Sequence, residues 1–121
     1  MRARRLLAEA RGIYEGLPDR LGLAAVDNSM GRLELAAAGP EAALAAHRSA
    51  LTFAREISNP LEEAEAHLGL ARAFAVIGSP ADARAAAHDA RNILVQIGAA
   101  GVDRVDVLLT ALNHTQPSPR P

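Results

Sequence analysis

Ala3, Ala43 and Ala83 stand 40 residues apart, and the same interval separates Ala10 from Ala50 and Ala50 from Ala90. Ile13, Phe53 and Ile93 keep it, as do Leu17, Ile57 and Ile97. Within each copy these four positions are separated by seven, three and four residues, which holds them on one stripe of an α-helix. A chain that repeats at this period is a stack of supersecondary units, each covering the apolar face of its neighbour. The spacing predicts three equivalent helices over about residues 2–17, 41–57 and 81–97, alternating with partner helices over about 20–38, 60–77 and 101–113. Leu21 matches Leu61 in the partner set, Ala24 matches Ala64, Leu68 matches Leu108 and Ala71 matches Ala111. Leu35 and Phe74 each lie four residues before a glycine, Gly39 and Gly78, so the period is 39 to 40.

Composition points the same way. Half of the 121 residues are hydrophobic and only 2% are aromatic, so burial must come from many small aliphatic side chains. Alanine is the best intrinsic helix former, and strand-favouring residues are scarce. An all-α class follows. Where two antiparallel helices cross, alanine lets the axes approach closely while larger residues fill the margins. The breaks carry helix-boundary chemistry. In Gly78-Ser79-Pro80 the glycine is expected to take the left-handed conformation, the serine to cap the next helix and the proline to open it. Gly39-Pro40-Glu41 repeats the theme, and Asn59-Pro60 with Glu62 and Glu63 begins another helix in the same manner.

With Ala83, Ala87 and Ala90 in one second-type helix, Ala43, His47 and Ala50 in another, Leu70, Ala71 and Phe74 in a first-type helix, and the Met30-Gly31 pair, the chain resembles a tetratricopeptide repeat over about residues 2–113. Its long Ala- and Arg-rich copies look like the sensor arrays of large actinobacterial transcriptional regulators. The resemblance implies an antiparallel helix-hairpin solenoid of about six helices, used for protein–protein interaction or effector sensing in a signalling or transcription-control protein. In that packing the first-type helices line a concave groove into which Asn28, Arg32, Glu65, Leu68, Arg72, Val105 and Leu108 project. Arg32 and Arg72, 40 apart, would stack as polar anchors for an acidic side chain or terminal carboxylate of a peptide. Pairing of each arginine with a local acid is the competing expectation.

The chain opens on a second-type helix and closes on a first-type helix, the order expected of an excised part. Val102, Val105, Leu108, Leu109 and Leu112 give the last helix more than one apolar face. That helix either folds back on the preceding pair or is covered by further chain or another copy, with Leu109 and Leu112 as the candidate homodimer interface. Residues 114–121, rich in proline, are expected to form a disordered tail.

Other functions find little support. The net charge is -1 with both signs mixed along the chain, against direct nucleic-acid contact. All 13 basic residues are arginine, which pairs bidentately with carboxylates where lysine offers a point charge. There is no cysteine, which fits a cytoplasmic setting. No apolar run approaches the roughly 20 residues that span a bilayer. His47, His67 and His88 fall on three helices without metal-ligand spacing, and no nucleophile elbow or glycine-rich phosphate loop is present. Neither an enzyme nor a cofactor or metal is expected. The alternative is a small-molecule effector sensor controlling an attached output domain, or a homo-oligomerisation module.

Overall fold

The computed structural model describes residues 2–15 and 20–115. The fold is all-α, with α1 (Arg2–Glu15), α2 (Arg20–Ala36), α3 (Pro40–Glu56), α4 (Pro60–Ile77), α5 (Pro80–Ile97) and α6 (Val102–Thr115). Helix α6 therefore runs through His114 and Thr115, where the sequence predicts a tail; the rest of that expected tail, and Leu17, lie outside the described residues.

The connections from α2 onward share one geometry. A residue in the left-handed region ends each helix, and the following amide reaches back five residues. Gly39 N–H donates to the Glu34 carbonyl at 2.8 Å, Asn59 to Ala54 at 2.9 Å, Ser79 to Phe74 at 2.9 Å and Ala99 to Leu94 at 3.0 Å. This Schellman closure satisfies carbonyls that the helix end would orphan. Gly78 and Gly98 hold the left-handed position in two of the four. In the other two it falls to Ala38 (φ 61°) and Ser58 (φ 53°), not to the expected Gly39. Gly39 is instead tight against the chain, since a Cβ there would lie 3.2 Å from the Glu34 carbonyl oxygen. Prolines follow at the first turn of α3, α4 and α5. Asn59 caps α4 by accepting from Glu62 N–H at 3.0 Å, whereas the Ser79 side chain makes no such bond to α5. A left-handed non-glycine residue costs about 1 kcal/mol. Ala38→Gly and Ser58→Gly are each expected to raise stability by about that amount in urea unfolding.

Short connections make successive helices antiparallel, and each packs on its sequence neighbours. Two rows result. Helix α2 also approaches α4, and α4 approaches α6, whereas among the described residues no Cα pair within 8 Å joins α1 to α3 or α3 to α5. The α2–α4–α6 row is therefore the closely spaced, inner side of the stack.

The predicted seam is its core. Ala43, Ala50, Ala83 and Ala90 are wholly inaccessible to solvent, and Ala43 and Ala90 share one core cluster with Leu68, Leu94 and Val105. Ala3 is exposed and Ala10 half-buried, because α1 is covered on one side only. One register needs correction. The Gly98–Gly101 connection carries an extra residue, so Ala64, Leu68 and Ala71 find buried counterparts 41 residues on, at Val105, Leu109 and Leu112. Leu68 thus corresponds to Leu109 and not to Leu108.

Candidate functional site

The residues expected in the groove divide into two sets. Asn28, Leu68 and Val105 are buried, and so cannot present side chains to a partner. Helix α4 is enclosed by α2, α3 and α5, which turns Leu68 into the centre of the core; Val105 joins the same cluster from α6. Leu108 is half-buried at its margin. Leu109 and Leu112 also face inward, because α6 folds back on the preceding hairpin. As an oligomer interface those two leucines are withdrawn from solvent.

Arg32, Glu65 and Arg72 do come together, on the inner row. Arg104, from the first turn of α6, joins them. Its Nη2 donates to Glu65 Oε1 at 2.8 Å, while Arg32 Nη1 lies 3.8 Å from Glu65 Oε2 and Arg32 Nη2 donates to Ser29 Oγ at 3.0 Å. One carboxylate on α4 thus bridges guanidinium groups on α2 and α6. Arg72 lies within electrostatic reach of all three and forms no ion pair with any described residue. Its pKa is lowered by burial and by Arg104 and Arg32, against the opposing pull of Glu65. Three cations share a single anion here. Arg104 escapes the repeat comparison because the residue 40 before it is Ala64.

Beneath this cluster lies a feature that spacing alone does not reveal. His47, from α3, is wedged between α2 and α4, its ring against the backbones of Gly31 and Gly69. A Cβ on Gly31 would fall 2.3 Å from His47 Nε2, and one on Gly69 2.2 Å from Cε1. Nδ1 meets Asn28 Oδ1 at 2.8 Å. Asn28 Nδ2 in turn donates to the Glu62 backbone oxygen at 3.2 Å and to Glu62 Oε1 at 2.9 Å. With the asparagine amide so committed, its oxygen must accept from the ring, which puts the neutral histidine's proton on Nδ1 and leaves Nε2 bare. Burial, then Arg32 and Arg72, lower the His47 pKa to about 4, opposed by Glu65. The absence of a side chain at Gly31 and Gly69 leaves the space into which this flat ring inserts.

A second polar tie holds the first hairpin. Buried Asp27 accepts from Arg11 Nε at 2.7 Å and from Ser49 Oγ at 2.6 Å, joining α1, α2 and α3. Arg91 on α5 makes a similar contact to Asp106 on α6 at 2.7 Å.

The arginine cluster is chemically suited to receive an anion. Planar guanidinium groups present paired donors that match a carboxylate, and hydrogen bonds between charged partners are about twice as strong as neutral ones. Among the described residues no helix is long and apolar enough to cross a membrane, and no group of three or more His, Asp or Glu is placed to hold a metal ion. No family model, curated protein or solved structure matches the chain.

Proposed function

We propose that this chain is a protein-interaction module of tetratricopeptide-like architecture, which binds an acidic polypeptide segment along its inner row as part of a signalling or transcription-control assembly. The observation that carries the reading is the arginine trio: Arg32, Arg72 and Arg104 project from three successive inner helices around the single carboxylate of Glu65. Glu65 satisfies Arg104 and Arg32 and leaves Arg72 as the vacant cation. An incoming carboxylate takes that position, and the remaining partner length follows the row across α2, α4 and α6. The buried wedge beneath fixes the distance between α2 and α4, so the anchors are held in place before the partner arrives. Such preorganisation reduces the ordering cost of association.

The test is titration of the full chain with a fluorescently labelled oligoglutamate peptide, followed by anisotropy. Arg72→Ala is expected to weaken binding about tenfold, the equivalent of roughly 1.4 kcal/mol, with little change in melting temperature. Glu65→Gln removes the competing carboxylate and is expected to tighten binding. Equal affinity of wild type and Arg72→Ala at low salt would refute the anchor, and unfolding of Arg72→Ala would mark the residue as structural.

A further inference from the structure

We infer that a second copy of this chain docks head to tail on the stack, the outer face of α6 in one copy receiving the outer face of α1 in the next. The inference rests on exposure at positions whose counterparts inside the stack are covered. On α1, Ile13 is 65% exposed and Leu6 51%, whereas their equivalents inside the stack are covered: Phe53 and Ile93 are half-buried, Ala46 is half-buried and Ala86 is buried. On α6, Val107 is 71% exposed and Ala111 is exposed, with Leu108 half-buried beside them. In the corrected register these three correspond to Ala66, His67 and Leu70 on α4, all buried.

The faces are those of one interface seen from its two sides. Inside the stack, Asp27 on α2 meets Ser49 on the following α3, and His67 on α4 approaches Asp89 on the following α5 at 3.9 Å. Those contacts define the register in which an inner helix receives the next outer one. Applied to the ends, the register seats Leu6 and Ile13 of one copy over Val107, Leu108 and Ala111 of another. The alternation of inner and outer helices is thereby kept, since α6 belongs to the inner row and α1 to the outer. Charge agrees with the seating. Antiparallel docking brings Arg2 and Arg5, which form no ion pair among the described residues, beside the C-terminal turn of α6, the negative end of its dipole. Glu9 is the mismatch: it takes the place of Ser49 and Asp89 and faces Leu108. Because the two faces differ, the contact is heterologous and does not close on itself as a two-fold dimer.

Two variants separate this arrangement from any other. Leu6→Glu with Ile13→Glu blocks the α1 face, and Val107→Glu with Ala111→Glu blocks the α6 face; all four positions are exposed, so helicity and melting temperature check that each variant stays folded. In sedimentation velocity, wild type is expected to show a mass that rises with concentration beyond dimer, while each variant alone is monomeric and an equimolar mixture forms a one-to-one pair. Glu9→Leu is expected to strengthen association of the wild-type faces. A wild type that stays monomeric at every concentration, a variant that still self-associates, or a mixture that fails to pair would each overturn the inference.

Discussion

Gly69→Ala is expected to destabilise the protein by about 3 kcal/mol, although the same change in an open helix stabilises by about 1 kcal/mol. The sign is reversed by the His47 ring. An added methyl carbon would sit 2.2 Å from ring atoms that have Gly31 on the other side, so the ring cannot retreat without meeting α2. Gly31→Ala acts in the same way from the opposite face. Gly12 on α1, where a Cβ would meet nothing within 4 Å, supplies the control, and Gly12→Ala should stabilise. Urea unfolding measures all three. A double substitution identifies the cause: on a His47→Ala background the penalty of Gly69→Ala should vanish, giving a coupling energy of about 2 to 3 kcal/mol. A penalty that persists without the imidazole would show that the methyl group clashes elsewhere.

The second large effect is on pH dependence. His47 has an ordinary pKa of 6.5 and is held at about 4 in the fold by burial and by the two arginines above it. Above pH 6.5 both folded and unfolded chains carry it neutral, and it contributes no slope. As the pH falls from 6.5 toward 4 the unfolded chain takes up a proton that the folded chain refuses, so stability declines through that window and levels off below it. The whole loss from this residue is about 3 kcal/mol. His67, lowered by burial against the opposing Asp89 and Glu63, adds in the same direction. His47→Phe keeps a flat ring in the wedge and removes the titration. It costs stability at neutral pH by stranding the Asn28 carbonyl, but its unfolding free energy should lose most of the slope between pH 6.5 and 4. An unchanged slope would assign the proton uptake to another group.

The helices and their alternation were legible from the 40-residue recurrence because that pattern reports directly on which face of each helix is shared with a neighbour. Ala43, Ala50, Ala83 and Ala90 are buried where the period places them. What the period cannot report is contact among three helices at once. Gly31 and Gly69 are 38 residues apart and belong to no common repeat position, yet they face each other across one ring. Asn28, Leu68 and Val105 illustrate the opposite failure. Lining a groove and filling a core both require residues on the inner row, and for α4 enclosure by α2, α3 and α5 decides between them. The register of α6 depends on a single extra residue in the Gly98–Gly101 turn, which shifts Leu109 and Leu112 inward and leaves Val107 outside. Arg32 and Arg72 were recognisable as charged positions at repeat spacing, with Glu65 seven residues before Arg72. Their fourth companion, Arg104, became visible only once the shifted helix was in place.

The neighbour-to-neighbour packing of the six helices has a consequence for how the molecule comes apart. Stability in such a stack is a sum of local hairpin and junction contributions, so opening need not be all-or-none. Junctions around α3 carry the histidine rivet, whereas α1 is fastened along one flank. Amide protection should accordingly grade along the chain, slowest where α2, α3 and α4 clasp the ring and fastest in the outermost turns. The molecule would then fray like a zip from its margins while its centre stays shut.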